Sequence, residues 1–279
     1  FTYDGAVVNL PDGVSPVAPI HILFVTTANH TSKVYYPRIL ILTGKNSKLT
    51  VLESYVGLSD NNYFTNAVTE IVTGEGSEIE HYRYLMESPH AFHIGTSRVF
   101  MHKDSHIFST SLSRGSQLAR NDLGIELNGT ASSCSVNGLY FTSASQHVDN
   151  HIDIDHASPH TSSNQYFKGI LSDSSRAVFS GRVLVRTGAQ KSYARQSDKN
   201  LLLSVGARVN TKPSLEIFAD DVECYHGATA GALAEEAIFY MRSRGLDKKT
   251  ARRLLVSGFA NEIIEKIGLR SLKNHMNKI

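Results

Sequence analysis

The segment FADDVECYHGATAG, residues 218–231, places Cys224 two positions before His226 and just ahead of a Gly-Ala-Thr step. Residues two apart on a strand share a face, so a thiol and an imidazole can be presented together there, with Tyr225 turned to the other side. Soft sulfur with borderline nitrogen suits iron, zinc or an iron-sulfur cluster. Two ligands cannot close a tetrahedral site, so a metal here needs donors from elsewhere in the chain or from another subunit, and a subunit interface is the economical source. The plainer alternative is a small buried cysteine beside a histidine that hydrogen-bonds a strand-to-helix junction.

A second stretch, HVDNHIDIDHASPH, gathers His147, His151, His156 and His160 with Asp149, Asp153 and Asp155. On an extended strand His151, Asp153 and Asp155 project from one face, a nitrogen and two oxygens that could meet zinc or iron. Such a row can equally form a polar ladder between neighbouring strands or line a solvated face. The sequence holds no Gly-x-Ser-x-Gly elbow and no Walker A pattern, so a serine nucleophile and an ATP site are not expected; nucleotide chemistry would belong to a partner. A carbohydrate-active or metal-dependent hydrolase on a β-helix is the rival enzyme reading. It is weakened by the lack of any Trp, the usual surface for stacking sugar rings.

The elements that must position these residues are short. From about Ile20 to Ile217 the chain consists of β-branched and aromatic runs such as KLTVLESYVG and RAVFSGRVLVRTG, separated by Gly, Asn, Asp and Ser. A loose unit recurs in which a turn residue and a small residue restart a strand: Asn46-Ser47-Lys48-Leu49, Gly76-Ser77-Glu78-Ile79, Asp104-Ser105-His106-Ile107, Gly115-Ser116-Gln117-Leu118 and Gly206-Ala207-Arg208-Val209. Strands restarting at such intervals without helices between them predict a parallel β-helix, with a two-sheet sandwich as the competing architecture. The character changes after Gly227. GALAEEAIFYMRSRG spaces Leu233, Ala237, Ile238 and Met241 as a helix, and Asp247 is placed to cap a second, KKTARRLLVSGFANEIIEKI, with a stripe through Ala251, Leu255, Phe259, Ile263 and Ile267. The expected division is a β-helix core over 1–227 and a helical hairpin over 228–279, whose apolar surface either packs on the core or serves a partner.

Composition narrows the partners. A net charge of +2 with 19% charged residues supplies no basic stripe for phosphates, so nucleic acid is not expected. No apolar run approaches a membrane span. Two cysteines, Cys134 and Cys224, make no disulfide framework and point to a reducing compartment. The start at Phe1, with neither an initiator Met nor a signal-peptide pattern, suggests a fragment lacking its N-terminal part.

Taken together, ESYVG, YFTNAVTEI, HIGT, ARNDL, NGLY, HVDNHIDIDHASPHTSSNQYFKGIL, GRVLVRTGAQKSYARQSDKNLLLS, VNTKPSLEIFADDVECYHGATAG and EEAIFYMRSRG resemble the SufB/SufD family of iron-sulfur cluster assembly proteins, from about Leu49 to Ile267. The Gly-Ala-Thr form of the cysteine motif leans toward SufD. The resemblance implies a right-handed parallel β-helix followed by a helical segment, and a scaffold without an active site of its own. It implies pairing with a SufB-like subunit, with a homodimer in isolation as another use of the same edge, and docking of a SufC-like ATPase through the C-terminal helices. Carried over, the assembly-site histidine falls on His226 with Cys224 beside it, both holding a transient iron-sulfur cluster at the subunit interface, where the partner's cysteine supplies the other main ligand. Tyr225 departs from the small or polar residue common in the family. The resemblance places the His147–His160 stretch on the β-helix body, away from the ligand pair, favouring polar ladder packing there. It also implies a bacterial cytoplasm or plastid stroma.

Overall fold

The computed structural model describes residues 5–27 and 33–278. Strands β1 (Gly5–Leu10), β2 (Ile20–Thr26), β3 (Lys33–Tyr35), β4 (Arg38–Thr43), β5 (Lys48–Gly57), β6 (Tyr63–Val72), β7 (Glu78–Met86), β8 (Phe92–Met101) and β9 (His106–Arg114) build the first half. They are followed by β10 (Leu118–Leu127), β11 (Ser133–Thr142), β12 (His147–His156), β13 (Ser162–Leu171), β14 (Arg176–Val185), β15 (Ser192–Leu202), β16 (Arg208–Ile217) and β17 (Val222–Gly231). From β4 onward, successive strands alternate between two sheets. One runs β1-β4-β6-β8-β10-β12-β14-β16, with β3 also on β6, and the other runs β17-β15-β13-β11-β9-β7-β5-β2. Every pairing is parallel. This is a parallel β-solenoid, not a sandwich.

The recurring turn unit has a physical cause. At one edge, successive turns pass through the left-handed region at Asn46, Gly76, Asp104, Ala131, His160 and Lys191, with φ between 53° and 66°. The next residue is always a buried hydroxyl: Ser47, Ser77, Ser105, Ser132, Thr161 and Ser192. In the first five, that hydroxyl donates to the carbonyl three residues back, closing the turn from within. Ala131 has no side-chain hydrogen bond to offset its left-handed backbone. Ala131→Gly is therefore expected to stabilise the protein by about 0.5–1 kcal/mol, the relief of the Cβ clash exceeding the added entropy of the unfolded chain. Urea unfolding reads the difference, and an unchanged or lowered midpoint would contradict it.

Between the sheets lies an apolar core through Ile39, Ile41, Leu49, Val51, Ile71, Ile79, Ile125, Val136, Ile152 and Phe179. One buried section of the lumen is charged instead, holding Glu53, His81, Arg83, Glu87 and His93. Arg83 donates through Nη1 to Asn121 Oδ1 at 2.7 Å and through Nη2 to His93 Nε2 at 2.6 Å, and His93 Nδ1 donates to Glu87 Oε2 at 2.8 Å. Gly95 is what makes room, since a Cβ there would lie 1.6 Å from Arg83 Nη2.

The last strand differs from expectation: β17 continues past Gly227 to Gly231, because parallel pairing with β15 extends from Ser192↔Val222 to Leu201↔Gly231. Helices α1 (Glu235–Ser243), α2 (Lys248–Ile264) and a further short α3 (Arg270–Met276) follow in place of a two-helix hairpin. Asp247 caps α2, accepting from the Thr250 amide at 3.0 Å. Ile263, Ile264, Ile267, Leu272 and Met276 pack on the outer face of the second sheet against Tyr82, Tyr84, Leu112, Leu139 and Ile170. Beneath α2, the buried Lys168 donates to the Phe259 carbonyl at 2.8 Å and pairs with Glu262 at 2.9 Å, with the Phe259 ring 4.1 Å away.

Candidate functional site

The solenoid ends at β16 and β17, the last strands of their sheets, so the outer edge of each offers backbone groups that no further turn pairs. Alternation sets the side chains of β17. Val222 and Cys224 turn inward and half-bury against Val183, Val185, Ala194 and Ala219, while Glu223 and Tyr225 face out. By the same parity His226 points toward the lumen, in register with Gln196, yet it is exposed because no turn lies beyond it. The sequence places Cys224 and His226 on one strand face, and the structure does the same. Burial raises the Cys224 thiol above its ordinary range against a backbone hydrogen bond at Ala194, so a metal must displace the proton before the sulfur can bind. The other cysteine, Cys134, is buried in the apolar lumen and its thiol is pushed up to about 12, which makes it packing.

Around this edge Ile217, Phe218 and Tyr225 are exposed apolar side chains. Tyr225 leans on Tyr193 of the neighbouring strand, ring centroids 6.2 Å apart, so the bulky residue between the two candidate ligands turns away from them and thickens the rim. Behind His226 the lumen is polar. Gln196 donates through Nε2 to Gln165 Oε1 at 2.9 Å, and the adjacent inward position on β15 is Asp198, fully buried. Burial pushes the Asp198 carboxyl up to about 6, against the Thr211 hydroxyl and the Asn200 amide, which pull it down. Sequence reasoning passed over Gln165, Gln196, Asp198 and Thr211. The available signal was parity: SYARQSDKN puts Gln, Asp and Asn on the positions whose earlier member, Ala194, is inward.

The His/Asp stretch forms β12. Asp149, His151, Asp153 and Asp155 share the outer face as the alternation requires, but each meets a neighbour. Asp149 pairs with Arg120 at 2.8 Å and with His151 at 2.9 Å, Asp153 with Arg182 at 3.1 Å, and Asp155 with Arg186 at 2.6 Å. His156 points inward between Thr161 and Ser163, at 2.8 and 2.7 Å, and burial lowers its pKa to about 4. The row is an inter-turn polar ladder, and among the described residues no group of three or more His, Cys, Asp or Glu is placed to hold a metal ion. A groove of about 650 Å³ runs across the outer face of the second sheet past Lys48, Glu78, Glu80, His106, Ser133 and Tyr193. Its two carboxylates are both engaged, Glu78 with Lys48 at 2.9 Å and Glu80 with the Tyr82 hydroxyl at 3.1 Å, which leaves no free acid-base pair there.

Comparison with known proteins adds an independent line. Residues 24–259 match the family model described as SUF system FeS cluster assembly, SufBD core domain. The chain is 38% identical to the iron-sulfur cluster assembly SufBD family protein slr0076 of Synechocystis sp., aligned over 99% of this chain and 62% of that protein. It is 32% identical to the iron-sulfur cluster assembly protein SufD of Escherichia coli, over 95% of this chain and 63% of that one. It is 34% identical to protein ABCI7, chloroplastic, of Arabidopsis thaliana, over 97% and 58%. The chain thus spans about three fifths of the length of these relatives.

Proposed function

We propose a scaffold role from one premise: the chain belongs to the SufB/SufD family of iron-sulfur cluster assembly proteins and is SufD-like within it. The chain pairs with a SufB-like subunit through the open end of its solenoid, and His226 donates a ligand to a cluster built across that interface. The cluster is cargo. Its sulfide and remaining thiolates come from outside this chain, and ATP hydrolysis belongs to a SufC-like partner on the helical segment. The observation that carries this reading is His226 itself, exposed on an edge strand whose outer side has no partner strand among the described residues, with Cys224 on the same face and an apolar rim around it. Edge strands of this kind invite β-augmentation, and two copies of the chain pair through the same edge when no other partner is present. The relatives from E. coli and from a plant, the latter chloroplastic by name, support a bacterial cytoplasm or plastid stroma, and no helix of the described residues is long and apolar enough to cross a membrane.

The docking surface for the ATPase is the part of the helical segment that the solenoid does not use. Phe239 and Tyr240 on α1 and Leu254 on α2 are exposed, at 73%, 60% and 45%, whereas Ile238 and the apolar residues of α3 are buried. The test is co-expression with SufB-like and SufC-like proteins, followed by size exclusion and anaerobic cluster reconstitution. One complex containing all three is expected. Phe239→Asp with Tyr240→Asp is expected to release the ATPase while the SufB-like partner stays bound. Retention of the ATPase by the double variant would place its docking elsewhere, and failure of the three chains to associate would remove the scaffold reading.

A further inference from the structure

Where α2 crosses the outer face of the second sheet, four cations gather around one aromatic ring. The Nζ atoms of Lys266, Lys199 and Lys168 lie 4.7, 5.4 and 5.5 Å from the centre of the Tyr166 ring. Arg195 joins them on the same face, because it alternates with the inward Gln196 and stands two positions before Ser197, the register partner of Tyr166. One carboxylate answers all four: Glu262 of α2 accepts from the Tyr166 hydroxyl and pairs with the buried Lys168 at 2.9 Å. Among the described residues no acidic group forms an ion pair with Arg195, Lys199 or Lys266, and Glu265, the next acid along the chain, is taken by Lys273 at 2.6 Å. Burial lowers the pKa of Lys168 and of Lys266, and like charges push the same way, Lys199 and Lys266 acting on the first and Arg195 on the second. Like charges held this close, on a chain whose net charge is only +2, cost stability that acidic groups from outside would restore.

We propose that Arg195, Lys199 and Lys266 form a docking site for an acidic segment of a partner protein, laid along the outer side of β15 and β17 beside α2. The three are within reach, Arg195 and Lys266 being exposed and Lys199 half-buried. On β17 the neighbouring outward positions are Tyr225, Gly227 and Thr229, and a Cβ built at Gly227 would meet nothing within 4 Å, so the approach from that side is open. The patch also adjoins the free edge of β17, and a partner that adds a strand there brings its own side chains toward Arg195 and Lys199. Protein carboxylates fit better than nucleic acid. The cations make one compact patch, not a stripe that tracks a phosphate backbone, and the Tyr166 ring is taken by ammonium groups where a base would have to stack. Only the identity of the partner as the SufB-like subunit rests on the assembly reading above; the site is argued from the unbalanced charge.

The experiment titrates the 279-residue chain into a fluorescein-labelled hexaglutamate peptide at low ionic strength and follows its anisotropy. The wild type is expected to bind, and to bind less well as NaCl is raised to about 0.15 M, where charges more than roughly 8 Å apart are screened. Arg195→Glu with Lys199→Glu breaks no ion pair, so the double variant should fold, which thermal unfolding checks. Its affinity for the peptide is expected to fall by about tenfold or more, since one exposed ion pair is worth up to roughly fivefold and two are reversed. Arg195→Gln with Lys199→Gln should lose less. Lys248→Glu with Lys249→Glu changes the net charge equally at the exposed start of α2 and should bind as the wild type does. No binding by the wild type, or an equal loss in the Lys248/Lys249 variant, would show that no local site exists. Tighter binding of an oligothymidylate of the same charge would give the patch to nucleic acid; each of these results overturns the proposal. The outcome is separable from the assembly reading, which stands or falls on cluster formation by His226→Ala in the full complex and not on peptide binding by the chain.

Discussion

In a complex carrying His226→Ala, cluster formation is expected to collapse while the complex itself assembles normally. The separation follows from where the residue sits. His226 is exposed on the edge strand and makes no side-chain hydrogen bond among the described residues, so its removal leaves no cavity and breaks no internal contact. What it removes is a neutral nitrogen donor facing the open end. A nitrogen ligand adds no negative charge to a cluster already carrying thiolates and sulfide, and a mixed site holds its cargo less firmly than an all-thiolate one, as release requires. The drop in cluster yield should be at least the roughly 10–100-fold seen when even an outer partner of a metal ligand is lost. Cys224→Ala should cost less, because its thiol is half-buried on the Val183 cluster and held protonated by that burial. Complex formation is checked first by size exclusion, then cluster content by visible absorbance. Wild-type yields from a properly assembled His226→Ala complex would reduce the Cys224/His226 motif to a structural junction.

The sequence made the solenoid legible at the corners where the turn residue and the hydroxyl are chemically distinctive, as at Asn46-Ser47, Gly76-Ser77 and Asp104-Ser105. It hid the equivalent corners at Ala131, His160 and Lys191, because there the coil's own geometry, not local preference, imposes the positive φ. The end of β17 was hidden for a related reason. Gly-Ala-Thr-Ala-Gly is poor strand sequence, and pairing to β15 overrides its propensity. For the candidate site, alternation correctly put Cys224 and His226 on one face of a strand. It could not show that the strand is the last one, which is what exposes His226. The polar ladder on β12 was half legible: the acidic row is local, but the arginines that answer it, Arg120, Arg182 and Arg186, sit one turn of the coil away in the chain.

The helical segment illustrates how packing changes an experiment. Read from sequence, cutting the chain after Gly231 looks like a clean way to remove ATPase docking. In the structure that cut also uncovers Tyr82, Tyr84, Leu112, Leu139 and Ile170, an apolar face that α2 and α3 keep from water. Loss of binding by such a truncation would therefore report solenoid integrity as much as docking. The exposed side chains of α1 are the selective probe because they touch little of the core.

Arg83→Met is expected to destabilise the protein by about 3–5 kcal/mol at pH 7, the usual cost of removing one partner from a buried charge set. Two carboxylates depend on this guanidinium. Glu53 has Arg83 Nε at 3.8 Å, receives His81 Nε2 at 3.0 Å, and accepts from Thr69 at 2.9 Å and Tyr55 at 3.2 Å. Glu87 is reached through His93, whose Nε2 accepts from Arg83 and whose Nδ1 donates to the carboxylate; that pattern requires a neutral imidazole with its proton on Nδ1. Burial lowers the His93 pKa in the same sense, against the pull of Glu87. Burial would raise the Glu53 carboxyl, but the hydrogen bond and charge of His81 and the charge of Arg83 prevail and hold it at about 2, below its ordinary 4.5. The signs then follow. Glu53 contributes stability that is complete above pH 4.5 and is lost as pH falls toward 2, and His93 contributes stability that is complete above 6.5 and declines as pH falls below it. Without Arg83 the Glu53 carboxylate loses part of the positive charge that answers it, so its pKa rises and protonation at moderate acidity relieves the variant. The deficit relative to wild type should therefore be largest at pH 7 and smaller at pH 5. Arg83→Lys keeps the charge but cannot reach Asn121 and His93 together, and should fall between the two. Urea unfolding at both pH values measures this. A deficit below about 1 kcal/mol at pH 7, the worth of an exposed pair, or one that does not shrink with acid would show that the network is not held together by this charge.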